Sequence, residues 1–304
     1  MGTPEFAIPA LEALVEADSD IIAVVTQPDR ARGRGMRVSP PPLKKRALAL
    51  GLPVMQPKRV SDPEFTSWLV DQEPDVIAVV AFGQMIPKSL LDVPPLGWVN
   101  VHPSLLPLYR GASPIQQAVL EGAKETGVTT MYLDEGMDTG DIILQVSTPI
   151  GHDENAGSLH DRLARLGAEL LVETLRQIES STAERRPQEE NLATVTRRLR
   201  REDGRLDWSQ TCTSLANRIR AFTPWPGAFA YYKDLRVKIW RAVPRVDSPG
   251  AGSPGQIIDM TDEGLEVLCG SGTLLLQELQ PDSGKRMSAT AFAHGYGARE
   301  GVFT

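Results

Sequence analysis

DVIAVVA, residues 75 to 81, holds four β-branched side chains in seven positions, and DIIAVVT, residues 20 to 26, repeats its texture. Continuous apolar runs of this length are too short for an ordinary helix. They suit strands covered on both faces, as in a parallel sheet flanked by helices. GWVNV, residues 97 to 101, is a third such run. Helical patterns surround these strands at Pro4–Ala17, Leu43–Leu50 and Ser61–Gln72, the last with Ser61 as the expected N-cap. Ser113-Pro114 opens a helix reaching about Gly122, Val128–Asp134 and Ile142–Thr148 read as strands, and Ser158 caps a long amphipathic helix to Glu179. Strands alternating with helices predict an α/β domain with a Rossmann-like, mostly parallel sheet.

The texture changes near Thr182. Residues 183 to 203 are polar and highly charged, which predicts an exposed linker. Beyond them come a short helix at Leu215–Ala221 and the turn-rich PWPGAFAYY. Strand candidates follow at Ala228–Tyr232, Arg236–Val243, Gly255–Asp259, Gly264–Leu268 and Thr273–Leu279. Short strands with frequent turns predict a small OB-like β-barrel. The expected division is therefore 1–182, a linker at 183–203, and 204–304. At the other end, only Met1 precedes the Gly2-Thr3-Pro4 turn, so the first strand of the sheet is expected to be absent, with the start about 5–15 residues late.

An apolar fraction of 41% and a charged fraction of 23% are those of a soluble globular chain, and no run suffices for a membrane span. Cys212 and Cys269 are far apart and form no disulfide framework or CxxC site, so a reduced, cytoplasmic setting is expected. A net charge of −7 argues against coating nucleic acid non-specifically. Two local clusters run the other way: Arg30, Arg32, Arg34, Arg37, Lys44, Lys45 and Arg46, and then Arg197, Arg198, Arg200 and Arg201. Such runs are ordinarily solvated faces, but here they raise the question of a polyanionic partner.

In a parallel sheet, functional groups gather at the carboxyl ends of strands. Asn100, His102 and Asp138 are predicted there. Asn supplies an amide donor, His exchanges a proton near neutral pH, and Asp holds the imidazole in one orientation. This set suits transfer of a carbonyl-level group, where charge builds on oxygen and a leaving nitrogen needs a proton. An Asn-X-His pair is also a common structural motif. The residues alone leave an acyl-type transferase and a hydrolase equally open. No HExxH, CxxC or histidine pair supports a metal, and the lone GxG at Gly33–Gly35 lacks phosphate-loop spacing.

The motifs GTPEFA, TQPDRxxGRG, NVHPSLLPLYRGASPIQ, TGVTTMYLDEGMDTGDIIL, NRIRAFTPWPGAF and SPGQII, in this order, closely resemble those of the folate-dependent formyltransferases, in their methionyl-tRNA branch. The resemblance covers nearly the whole chain. It implies formyl transfer from 10-formyltetrahydrofolate to the methionine of initiator tRNA, by a monomer, with no metal and no membrane. The family's catalytic residues fall on Asn100, His102 and Asp138. Its folate-contacting segment falls on Ser104, Leu105, Leu106 and Pro107, with Phe82–Ile86 and the 134–141 loop walling the pterin pocket. Arg34 matches the arginine that meets tRNA, with Arg32 and Arg37 beside it, and the C-terminal barrel would add backbone contacts. A small amine or water as acceptor, or an inert folate or tRNA binder, are the alternatives. The resemblance also implies an apolar strand ahead of the GTPEF turn.

Overall fold

A computed structural model describes residues 1–32, 37–247 and 252–304. They form two compact units. The first comprises residues 1–111, 126–149 and 160–196; the second comprises 112–125, 150–159 and 197–304.

In the first unit, β1 (Val24–Val25) is followed by β2 (Arg30–Arg32), β3 (Arg37–Ser39) and β4 (Val54–Met55). Then come β5 (Ile77–Val79), β6 (Trp98–His102), β7 (Arg110–Gly111), β8 (Glu125–Tyr132), β9 (Ile142–Pro149) and β10 (Val195–Thr196). β1 pairs with β4 and β5 with β6, both in parallel, and the order β5-β6-β8-β9 makes a four-stranded sheet. DVIAVVA and DIIAVVT thus each contribute a buried parallel strand. Met1 and Gly2 span the gap between β1 and β5: the Gly2 N–H donates to Val25 O (3.0 Å) and the Val80 N–H to Met1 O (2.8 Å). An apolar cavity of about 190 Å³ adjoins this gap, lined by Leu11, Leu14, Val24, Ile77 and Leu171 among others.

Two helix starts differ from expectation. The helix Pro63–Asp71 takes Asp62 as N-cap, because Pro63 fits the first helical position and fixes the start there. In the helix Ala156–Glu179, the Asn155 side chain accepts from the N–H groups of Gly157 and Ser158 (2.9 and 3.0 Å), while Ser158 Oγ accepts from the Asn155 N–H. Asn155 is the cap and Ser158 its reciprocal partner.

The predicted linker is not a free tether. Arg186 bridges Ile142, and β10 pairs in parallel with β7, so residues 186–196 are strapped onto the first unit. Most of these residues are exposed, as expected, but Gln188 and Thr194 hydrogen-bond to loops of the first unit. From Arg197 onward the chain belongs to the second unit.

There, Cys212–Ala221 is helical and the strands are β11 (Phe229–Tyr232), β12 (Leu235–Arg245), β13 (Ile257–Thr261), β14 (Gly264–Leu268), β15 (Thr273–Pro281) and β16 (Met287–Ser288). All strand pairs are antiparallel, in the order β11-β12-β15-β14-β13. Residues 302–303 bridge Gln256 and Tyr232, joining the two edges into a closed barrel. Val237, Ile239, Leu265, Leu274, Leu276, Phe292 and Phe303 fill it. Phe292 belongs to a helix, Ala289–Tyr296, that the sequence reading did not anticipate. Burial pushes the Cys269 thiol up to about 12, so this cysteine is packing material rather than a nucleophile.

Asp203 anchors the entry to this unit. Arg197 holds its carboxyl down at about 2 through a paired contact (2.6 and 2.8 Å), helped by the Arg200 N–H. A depressed folded value stabilises the fold above the unfolded value near 4 and loses that stabilisation as pH falls through about 2. Asp203→Asn is therefore expected to cost about 1 kcal/mol at pH 7, a modest figure because Arg197 is 66% exposed. Denaturant midpoints of the two proteins should converge between pH 4 and 2.

Candidate active site

β6 delivers the first two groups. Trp98, Val99 and Val101 make it a fully buried strand, which carries Asn100 and His102 inside with it. Asn100 is register partner to Val79 on one side and Met131 on the other, and its side chain makes no hydrogen bond to any described residue. An amide with donors to spare on a buried strand is a binding group in waiting. His102 is 4% exposed, and its Nε2 lies 3.0 Å from Tyr109 O. A carbonyl only accepts, so Nε2 carries the hydrogen. Exchange of a proton then falls to Nδ1, 3.6 Å from Asp138 Oδ2.

Asp138 arrives by a different route from the one expected. β8 runs antiparallel to β6, with Tyr132 opposite Val99 and Thr129 opposite His102, so its following loop leaves near the start of β6 and must fold back. The loop does this around Asp134, whose carboxylate accepts from the Gly136 N–H (3.0 Å) and Thr139 Oγ1 (2.7 Å). A Cβ at Gly140 would sit 2.0 Å from Tyr132 O, so only glycine fits there. Asp138 itself is left-handed at φ 57°, a conformation Asp tolerates better than most residues. Its Oδ2 accepts from the Gly111 N–H at 2.8 Å.

The segment Ser104–Pro107 forms a braced shelf beside this pair. Ser104 Oγ donates to Leu108 O (2.6 Å), and Thr129 Oγ1 donates to Ser104 O (2.7 Å) while accepting from the Leu106 N–H (3.1 Å). Leu106 is buried with Met131 and Ile142; Leu105 and Pro107 are half-buried. A polar cleft of about 710 Å³ opens at the other end of β6, lined by Trp98, Tyr132, Asp134, Glu135, Lys88 and Arg185 among others. Phe82 and Ile86 do not line it but pack behind Trp98 in the core.

Of the expected tRNA-contacting arginines, Arg34 lies outside the described residues. Arg32 and Arg37 are register partners across β2 and β3. Arg197 is committed to Asp203. Among the described residues, no cluster of three or more His, Cys, Asp or Glu side chains is placed to hold a metal ion, and no helix is long and apolar enough to cross a membrane.

Sequence reasoning missed Arg110, Gln188 and Thr194. Arg110 is 5% exposed and bonds Gln188 and Glu190 (2.8–3.0 Å), and the Tyr109 N–H donates to Thr194 Oγ1 (2.7 Å). Arg110 stood inside a quoted motif, and a buried arginine always needs a partner. Gln188 and Thr194 sat in an aperiodic polar stretch that offered no signal.

The formyl transferase family matches residues 1–175, and the formyl transferase C-terminal domain matches residues 198–297. The methionyl-tRNA formyltransferase of Syntrophus aciditrophicus is 48% identical over 296 residues, covering 97% of this chain and 95% of the relative. That of Citrifermentans bemidjiense is 46% identical over 301 residues, covering 99% and 94%. In fold, the chain is similar to the N-formyltransferase of Helicobacter canadensis solved with folinic acid and dTDP-3-aminofucose (TM-score 0.67, 18% identity, 91% of this chain and 97% of that one). It is also similar to HypX of Aquifex aeolicus solved with tetrahydrofolic acid (TM-score 0.58, 20% identity, 77% and 41%).

Proposed function

The chain belongs to the formyl transferase family, and on that premise we propose that it transfers the formyl group of 10-formyltetrahydrofolate to the amino group of methionine on initiator tRNA. The observation that carries the chemistry is His102 Nδ1 facing the Asp138 carboxylate at 3.6 Å, with Asn100 two residues before His102 on the same buried strand. In the reaction the methionine nitrogen bonds to the formyl carbon, the bond from that carbon to folate N10 breaks, and one proton passes from the amine to N10. Asn100 donates to the oxygen on which charge develops, a contact worth about 10²–10³-fold in rate. His102 delivers the proton from Nδ1 to the leaving nitrogen. Asp138 orients the imidazole and takes up the amine's proton. The braced Ser104–Pro107 shelf and the cleft beside Trp98 are the surfaces we assign to the folate.

For the tRNA, the outward face of the barrel supports the reading. Phe229 opposes Lys238 and Tyr231 opposes Arg236 across β11 and β12, while Ala230, Tyr232, Val237 and Ile239 point inward. Arg236 covers the buried Phe229 ring (3.8 Å) and Arg286 lies over Trp240 (5.0 Å), so this face offers cations beside the half-buried Tyr231 and Trp240 rings, a surface suited to a nucleic-acid backbone. Lys238→Ala should weaken tRNA binding and lower the slope of log affinity against log salt by about 1. An unchanged slope would remove this face from the interface.

Incubation with 10-formyltetrahydrofolate and methionyl-initiator tRNA, followed by mass analysis of the released amino acid, tests the whole. Formylmethionine is the expected product. Formylation only of a nucleotide-linked amino sugar, or release of formate without an acceptor, would replace this reading with the small-amine or hydrolytic one.

A further inference from the structure

The segment 186–196 does more than lie against the first unit, because its Gln188 sits between a buried cation and the catalytic loop. Gln188 Nε2 donates to Asp138 O (2.9 Å) and to Gly140 O (2.8 Å). Gln188 Oε1 accepts from Arg110 Nε (3.0 Å) and Nη2 (2.9 Å). Arginine only donates and carbonyls only accept, so the orientation of this amide is fixed by its neighbours. Both of its hydrogens and both lone pairs of its oxygen are used. Arg110 turns its remaining fork onto Glu190, at 2.8 and 3.0 Å, which fixes the guanidinium in turn.

What this amide holds is strained. Asp138 is a non-glycine residue at φ 57°, a conformation costing about 1–2 kcal/mol that persists only where the surroundings enforce it. Its carboxylate is tied by the Gly111 N–H, but a single bond to the side chain leaves the backbone free to relax. Gln188 ties that backbone on both sides of Thr139.

We propose that Gln188, oriented by Arg110, is a positioning residue for Asp138: its amide clamps the carbonyls of Asp138 and Gly140, holding the left-handed turn that aims the carboxylate at His102 Nδ1. Gln188 touches neither substrate nor reacting atoms. This assignment rests on the formyl-transfer reading for its effect on rate, but not for its effect on geometry.

Gln188→Glu is the discriminating change, since it keeps the shape and the contact to Arg110 while replacing the two donors with an acceptor. Turnover should fall about 10- to 100-fold, with KM for either substrate little altered, because a displaced catalytic group impairs the chemical step more than binding. In an Asp138→Asn background the same change should cost nothing further, since residues acting through one another are not additive. A crystal structure of Gln188→Glu should show the Asp138–His102 separation widened from 3.6 Å. Wild-type turnover in Gln188→Glu, a fully additive double variant, or an unmoved Asp138 carboxylate would each overturn the proposal. The last readout stands even if the formyl acceptor proves to be something else. Wild-type protein that formylates no methionyl-tRNA would instead count against the functional reading.

Discussion

His102→Ala lowers the rate of formyl transfer by about 10²–10⁴-fold, the range spanned by loss of a positioned acid, while the protein stays folded. The ring is buried, but it makes few structural commitments. One nitrogen holds Tyr109 O and the other faces Asp138 across 3.6 Å. Removing it leaves Tyr109 O without that donor, a loss of about 1 kcal/mol set against a margin of about 5–15. On the proposed mechanism the reaction loses the group that donates at Nδ1 and faces the Asp138 carboxylate. Asp138→Asn should act in the same direction, because the amide keeps the shape and surrenders the charge. Single-turnover rates with saturating substrates, alongside thermal melts, separate chemistry from folding. A His102→Ala enzyme with near wild-type single-turnover rates would end the assignment of the acid to this residue.

Phe303→Ala is expected to destabilise the second unit by about 3–5 kcal/mol, the usual cost of emptying a fully buried aromatic site. Phe303 is almost completely enclosed, with ring centroids 5.4 Å from Tyr232, 5.9 Å from Trp208 and 6.4 Å from Phe292. It also belongs to the segment that closes the barrel: its N–H donates to Gly255 O at 2.8 Å, and next to it Thr304 exchanges backbone bonds with Tyr231. The cavity left behind therefore opens at a seam rather than within a continuous sheet. Calorimetry should show the barrel's transition moving well below that of the wild type. A shift equivalent to less than about 1 kcal/mol would mean that the neighbouring rings collapse into the space, in contrast to the incomplete relaxation usual in packed cores.

The α/β alternation and the barrel were legible because burial leaves a periodic trace. DVIAVVA and GWVNV could only be covered strands, and the β12 sequence alternates inward Val237 and Ile239 with outward Arg236, Lys238 and Trp240. The nearness of His102 and Asp138 was legible because polar groups at strand ends stand out against such a pattern. The route by which Asp138 reaches His102 was not. Antiparallel pairing of β8 with β6 depends on register and loop geometry, which a run of valines and threonines does not encode. The helix Ala289–Tyr296 was missed for a similar reason. Its sequence ATAFAHGY has one strongly apolar anchor, Phe292, and takes its fold from the barrel core and from the Ser288 cap. The strap was hidden by composition: residues 183 to 203 look solvated because they are polar, yet Gln188 and Thr194 spend that polarity on backbone groups of two loops.

That strap also sets when the active centre comes into being. The side chains assigned to the reaction all emerge by residue 138, but the glutamine proposed to brace Asp138 is 78 residues beyond its arginine and 50 beyond that aspartate. Closing loops of that span comes late in folding, after local helices and neighbouring strands have formed. On the ribosome, the growing chain displays Asn100, His102 and Asp138 well before it can hold them in register. A fragment cut at residue 182, where composition invites a boundary, would own every reacting group and none of the brace. On the proposed positioning role, full turnover thus awaits the last stretch of the first unit, which arrives immediately before the barrel starts to be made.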